Sequence, residues 1–448
     1  MKNLMYILSA AIIALTGCKK GWLDQKPDLA LTVPTTIEEY QLLLDNRTVF
    51  GVNLPGLGEL GTDDIYLTDA IWNSLGSPLE RNSYIWAKDV FQGAQVGIWN
   101  SGYKQIFQAN IVLDEIEGLA SKAGPETAAY NSLKGQALFY RAVCYWMLAD
   151  HFCRPYDGTE PNGLGLPLNL DSQPAKVLGR STLKQTYDQI ISDLTQAESL
   201  LPESVPSPTR PSATAGRAML ARVYLAMDDY GKALFWASKV KGSRESLLDY
   251  SSLDPTLSSP IPTFNREVIW HAETSQYAAH ANLVGLVDTL LFDSYSQDDL
   301  RKSILYSRSA KGIQFRGNYR GTRFFPFCGL TQAEVLLIMA ECQVRTGRSG
   351  EGMETLGVLL KNRYQGDPEL ALAQDPLDRV LQERRKELAF RSIRWSDLRR
   401  LNRDPRYAKV ITRELNGSRY RLEPNSGLYV YPIPENEVQY NKLEQNPR

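Results

Sequence analysis

The stretch from Leu220 to Val240 constrains this chain most. Leu220-Ala221, Tyr224, Asp228-Asp229-Tyr230, Ala233-Leu234, Ala237 and Val240 fall in the order of a tetratricopeptide helix–turn–helix. Small residues let the two helices approach, and Ala-Leu opens the second helix. A weaker copy lies at Met339-Ala340, Gln343, Gly347 and Met353, after Leu330 to Ile338. Trp99 to Leu119 and Thr127 to Phe152 read as a third, more degenerate pair. In its first helix Tyr103, Ile106, Ala109-Asn110, Leu113 and Ile116 recur at three- and four-residue steps. Such units cannot bury their apolar faces singly and must stack. The chain therefore reads as mainly α, with tetratricopeptide-like repeat helices at about 99–240 and 330–400 forming a frame.

Ile37 to Leu44 and Leu183 to Leu201 read as further helices. Two stretches break the periodicity, at about 51–97 and 250–327. Glycines and prolines punctuate both, yet both are rich in aromatics. They read as an irregular, loop-rich cap, and segments of that length inside a helical frame tend to carry function.

The N-terminus adds a location. Lys2, an apolar run from Leu4 to Ala14, then Leu15-Thr16-Gly17-Cys18 make a secretory signal that resembles a bacterial lipobox. Residues 1–17 are the expected leader, and 18–448 the single mature domain lipidated at Cys18. Gly21 to Pro34 reads as a tether. No later apolar run approaches the ~20 residues that span a bilayer. With 50 basic and 51 acidic residues there is no basic face for a nucleic-acid partner. The cysteines Cys144, Cys153, Cys328 and Cys342 form no CxxC and no disulfide framework. They read as small buried hydrophobes, with Cys144–Cys153 and Cys328–Cys342 open as pairs.

Catalytic chemistry finds little support. Glu383, Glu387 and Asp397 lie among Arg384, Arg385, Arg394, Arg399 and Arg400. Arginines at helical spacing keep these acids ionised, the reverse of what a general acid needs. The cluster reads as structural ion pairing. His151, His271 and His280 have no metal-ligand spacing; His271 and His280 flank Tyr277 and read as surface or capping residues, with a pocket lining as the alternative. Asp63-Asp64 and Asp298-Asp299 read as turn or cap residues rather than calcium ligands. No catalytic residue, metal or cofactor is expected, and the chain reads as a binding protein.

Aromatic side chains supply contact area for a ligand at little entropic cost. The candidate platforms are Tyr66, Trp72, Tyr84, Trp86, Tyr277, Tyr295 and Tyr319. Asp64, Asn73, Asn82, Asn282 and Arg323 are the candidate polar companions. The competing reading for each ring is core packing.

Several motifs together resemble the SusD/RagB family of nutrient-binding lipoproteins. Cys18 to Pro27 resembles the family's mature start, and Trp99, Tyr103, Ile106 and Asn110 its first repeat helix. Arg141-Ala142 with Leu166-Pro167-Leu168, and Glu334, Leu337 and Ala340-Glu341, resemble later elements. Most specific are Glu383 to Phe390 with Arg394 to Arg400, and the ending Tyr431-Pro432-Ile433-Pro434, Glu437, Asn441 and Gln445-Asn446-Pro447. Arg448 departs from the family's usual Gly and aromatic, and Lys19-Lys20 from its usual acidic residues. The resemblance implies a SusD-like fold, an outer-membrane lipoprotein facing the cell exterior, and capture of an oligosaccharide nutrient. It implies a SusC-like TonB-dependent transporter as partner, with this chain as its lid. A peptide ligand and a non-binding scaffold, in which Trp72 and Trp86 are buried, are the alternatives. A glycosidase would need two carboxylates ~5–10 Å apart across a cleft.

Overall fold

The computed structural model describes residues 34–123, 127–173, 178–240, 247–366, 368 and 375–448. The leader, Cys18, Lys19-Lys20 and the tether up to residue 33 lie outside the described residues. The frame consists of α1 (Ile37–Leu44), α2 (Gly97–Ala123), α3 (Ala128–Phe152), α4 (Leu183–Leu200), α5 (Ala213–Ala226) and α6 (Tyr230–Ser238). It continues through α7 (Gln332–Arg345), α8 (Ser349–Leu360), α9 (Pro376–Glu387) and α10 (Arg394–Leu401).

Local chemistry sets these boundaries. Thr127, Thr182, Ser212, Asp229, Thr331 and Asp375 each accept a hydrogen bond from a first-turn N–H of the helix they precede. Each such cap contributes about 1 kcal/mol. The turn between α5 and α6 places Asp228 at φ +58°, a left-handed conformation that aspartate tolerates.

Packing makes the stack continuous. Helix α2 packs on α3, α3 on α4, α4 on α5 and α5 on α6. Helix α6 then packs on α7, although the chain between them leaves the frame for the whole irregular segment. Helix α7 packs on α8, and both contact α9. A Cβ on Gly352 would stand 2.9 Å from the Ala340 carbonyl oxygen, so α7 and α8 meet too closely for any side chain there. Helix α3 is buried almost all round from Leu138 to Phe152 and is the spine of the core. The mainly helical, repeat-stacked architecture matches the pattern in the sequence.

The cap differs in detail. It holds two-stranded ladders pairing β1 (Ile65–Tyr66) with β3 (Leu286–Val287), β2 (Val268–Trp270) with β6 (Leu330–Thr331) and β4 (Tyr306–Ser309) with β5 (Gly312–Phe315). A last hairpin joins β7 (Ile411–Leu415) and β8 (Ser418–Leu422). Short helices at Asp69–Ser74, Pro78–Tyr84, Thr289–Asp293 and Arg301–Leu305 also lie in the stretches read as irregular. At five to seven residues they are too short to leave a helical period in the sequence.

A charged core joins frame and cap. Arg301 and Arg363 are fully buried. Arg363 pairs with Glu267 at 2.6 Å and Glu387 at 2.9 Å, and Arg301 with Asp299 at 2.8 Å and with Glu383. Asp299 keeps the turn or cap role read for it, its side chain accepting from Arg301 N at 3.2 Å, and it serves this core as well. Its carboxylate is buried and bound by Arg301 and Lys386.

Candidate functional site

Two segments far apart in sequence form one layer over the frame. Tyr66 stands opposite Leu286 and Ile65 opposite Val287 in the β1–β3 ladder. Asp288 N donates to the Asp64 carbonyl at 2.9 Å, and Ala279 N to the Glu80 carboxylate at 2.7 Å. Ser275 N donates to the Leu54 carbonyl at 3.1 Å. Residues of 51–97 and 250–327 therefore build a common outer face.

That face displays apolar rings. Phe264 is 47% exposed, Phe324 49%, Phe325 38% and Tyr66 47%. Two of them sit on unfavourable backbone: Phe264 has φ +53° and Phe325 φ +54°. A bulky residue there costs about 1–3 kcal/mol and persists only where its surroundings enforce it. The enforcement is visible. The buried Asn318 amide points at the carbonyls of Thr322 (2.9 Å), Phe324 (3.0 Å) and Phe325 (3.1 Å). Its oxygen accepts from Phe327 N at 3.0 Å, and Phe325 N donates to the Gln276 side chain. Beneath Phe264, His271 meets the ring edge-on at 4.9 Å.

Cations accompany the rings. The Arg320 guanidinium lies 4.9 Å from the Phe325 ring centre and 3.0 Å from Glu273. Arg323 lies 6.0 Å from the Phe324 ring and donates to the Asn282 carbonyl at 3.1 Å. Burial works against ionisation of Glu273, but hydrogen bonds from His271 and Arg320 outweigh it and hold the carboxyl below its usual range. Under the face, burial drives His280 down to about 3, so its ring is neutral. Burial, aided by Asp64, pushes the enclosed Glu59 carboxyl up to about 8.

The sequence candidates divide. Tyr66 and Arg323 are exposed, and Tyr277 is half-buried. Trp72 is half-buried, with its indole N–H on the Arg81 carbonyl at 3.3 Å. Asn73 is exposed but exchanges amide hydrogen bonds with Asn416 at 3.0 and 3.1 Å. Asn82 donates to the Val90 carbonyl at 3.1 Å, and Asn282 is buried, its amide bound to the Arg323 carbonyl.

Trp86, Tyr84, Tyr295, Tyr319 and Asp64 need correction as surface groups. Trp86 is 3% exposed and donates to the Gly61 carbonyl at 2.9 Å. The Arg413 guanidinium lies 4.4 Å from its ring and 3.5 Å from that of Tyr84, whose hydroxyl accepts from Leu67 N. Tyr295 donates to the Lys386 carbonyl at 2.8 Å, and Tyr319 to Glu267 at 2.8 Å under the Arg391 guanidinium. Asp64 is buried on Arg385 at 2.6 Å and Asp63 on Arg394 at 2.8 Å, so the turn that both residues form is also an ion-paired one. His271 and His280, read as surface or capping residues, are also buried, as is His151. Trp86, Tyr295, Tyr319 and Asp64 take partners distant in sequence, which no local pattern displays. Phe264, Phe324, Phe325 and Arg320 fall outside a reading that takes platforms from Trp and Tyr. Their signal is aromatics beside glycine and arginine, in Arg320-Gly321-Thr322-Arg323-Phe324-Phe325.

The charged C-terminal helices carry ion pairs. Asp397 binds Arg384 at 2.9 Å and Arg400 at 2.8 Å, and Arg400 binds Glu341 at 2.6 Å. Burial opposes ionisation of Asp397, but the two arginines outweigh it and hold it down at about 2. Cys144, Cys153, Cys328 and Cys342 are free, buried thiols.

Comparison with known proteins agrees with this architecture. Residues 21–225 match a SusD-like model described as starch-binding associating with outer membrane, and residues 332–448 match the SusD family model. SusD-like protein P2 of Formosa agariphila is 23% identical over 83% of this chain and 84% of its own. A SusD superfamily protein from Bacteroides vulgatus superposes with TM-score 0.76 at 23% identity, covering 92% of this chain and all but 1% of its own (99%). A laminarin-binding SusD-like protein gives TM-score 0.65 at 17% identity, covering 92% and 100%. With family models spanning both halves of the repeat frame, and that frame shared by solved members, the chain belongs to the SusD family.

Proposed function

We propose that the capping face captures an oligosaccharide nutrient. The protein does so from a lipid anchor at Cys18 on the outer membrane, facing the cell exterior, and passes the ligand to a SusC-like TonB-dependent transporter. The observation that carries this reading is the pair of exposed phenylalanines, Phe264 and Phe325, both held at positive φ. Folding alone gains nothing from an apolar ring displayed to water on strained backbone, whereas a stacked ligand does. Arg320 and Arg323 beside the rings supply donors for hydroxyls. A starch-binding family description and a laminarin-binding neighbour favour a saccharide over other ligands. The platform in this reading is phenylalanine rather than tryptophan, since Trp86 is inside the fold.

The reading is one of binding without covalent chemistry. Glu383, Glu387 and Asp397 are each ion-paired and held below the usual carboxylate range despite burial, by Arg301, Arg363 and Arg384 foremost. Glu59 has the raised pKa of a general acid but is enclosed, so a substrate does not reach it.

Calorimetry on the lipid-free protein from residue 19 tests this, with laminari-oligosaccharides, malto-oligosaccharides and peptides as ligands. Binding to one glycan class, weakened about tenfold in Phe324→Ala, is expected. Response to peptides alone would transfer the site to peptide capture. Silence to all of them would leave a scaffold.

A further inference from the structure

A groove of about 390 Å³ runs between α2 and the C-terminal segment, apart from the capping face. Asn100, Tyr103, Lys104 and Phe107 of α2 line one wall, Asn169 a second, and Glu437 of the short helix Glu435–Tyr440 a third. Trp99, Tyr103 and Phe107 are spaced four residues apart, so they form a ladder of rings along one helix face. The ladder begins buried, with Trp99 packed 4.7 Å from Tyr103, and ends at Phe107, which is 42% exposed.

The Asn169 wall is rigidly held. Tyr103 donates to the Pro167 carbonyl at 2.9 Å, and Tyr145 to the Asn169 carbonyl at 2.7 Å. The Asn110 amide reaches the Asn169 and Asp171 carbonyls at 2.9 and 3.0 Å. Arg141, clamped by Asp193 at 2.7 Å, reaches the Leu170 carbonyl at 3.3 Å and Asn110 at 3.0 Å. Every one of these bonds ends on backbone or within the network. The side-chain amides of Asn100 and Asn169 and the Lys104 ammonium have no hydrogen-bond partner among the described residues.

We infer that this groove is a second saccharide subsite, resting on the reading that the protein binds oligosaccharides. A half-exposed ring flanked by free neutral amides matches one C–H face and the equatorial hydroxyls of a sugar. A phosphate or sulfate would need clustered cations, and Lys104 shares the groove lining with the acidic Glu437. A peptide strand would need an open sheet edge, and the walls here are helix and pinned loop. Burying the loop's carbonyls on fixed donors preorganises the wall, which lowers the cost of binding.

Hydrogen exchange with mass spectrometry tests the subsite, using laminarihexaose and maltohexaose on the lipid-free protein from residue 19. Protection of segments 99–107 and 166–171 by one of these probes is expected. Phe107→Ala and Asn169→Ala should remove that protection and weaken binding about fivefold, with capping-face protection intact. In Phe324→Ala the groove protection should persist. Protection confined to the capping face, or groove protection unchanged in both groove variants, would overturn the subsite while sparing the function. Groove protection without capping-face protection would keep the subsite and move capture to it. Protection at neither face would refute both.

Discussion

Phe325 offers the sharpest internal test, because its ring and its backbone can be removed separately. Phe325→Ala and Phe325→Gly delete the same ring and the same contact with Arg320 at 4.9 Å, which contributes about 0.5–1 kcal/mol at an exposed site. They differ in what φ +54° costs them. Alanine keeps a left-handed penalty of about 1–2 kcal/mol. Glycine loses that penalty but gives back about 0.5–1 kcal/mol in chain entropy. Phe325→Gly should therefore exceed Phe325→Ala in stability by about 0.5–1 kcal/mol and lie within about 1 kcal/mol of the parent. A buried phenylalanine truncated to alanine costs about 3–5 kcal/mol instead. Urea denaturation with a shared slope reads the difference. For binding, covering roughly 50 Å² of ring and a similar area of sugar gives about 2.5 kcal/mol gross at about 25 cal/mol/Å². Ordering costs reduce that to an expected loss of about tenfold in affinity for either variant. Equal stability of the two variants would show that the backbone is not strained. Unchanged glycan affinity in the glycine variant would show that the ring is not a platform.

The charged core makes a second expectation. Glu387→Gln removes one of the two carboxylates paired with the fully buried Arg363, and should cost about 3–5 kcal/mol in urea denaturation. Acid acts through Asp397 and Asp299, both held at about 2 when folded, where their pairing with arginines outweighs burial. Their stabilisation is present above about pH 4 and is lost as pH falls toward 2, at most about 2 kcal/mol each, which a midpoint series would trace. Glu59 has the opposite sign. Its folded value of about 8 lies above the unfolded 4.5, so its contribution is full below pH 4.5 and lost as pH rises through 8. Glu59→Gln should flatten the fall in stability between pH 4.5 and about 8. Trp86→Phe should lower stability by about 1–3 kcal/mol, through the lost Gly61 bond and the cavity, with glycan affinity nearly unchanged.

The frame was legible because stacked helices write their contacts into local spacing. Leu220, Ala221, Ala233 and Ala237 are all completely buried where the repeat pattern places them. The caps at Thr127 and Thr182 follow from residue type in the same way. The cap was legible only as a break in that pattern. Its order comes from contacts across long stretches of chain, such as Arg413 under Tyr84 and Trp86, or Asp64 on Arg385. An aromatic in an irregular segment has the same local signature whether it ends up under an arginine or facing water. Tyr66 and Trp86 differ in nothing that the sequence displays, yet one is outside and the other inside. Ion pairing of Glu383, Glu387 and Asp397 was readable in kind, but Glu383 and Glu387 take Arg301 and Arg363 from outside their own helix.

A crystal structure of the protein with the oligosaccharide that binds best tests the central claim most directly. A sugar ring stacked within ~4 Å of Phe264, Phe324 or Phe325, with hydroxyls on Arg320 or Arg323, is the expected result. A ligand seated elsewhere, with those rings bare and their φ angles relaxed to negative values, would contradict the account.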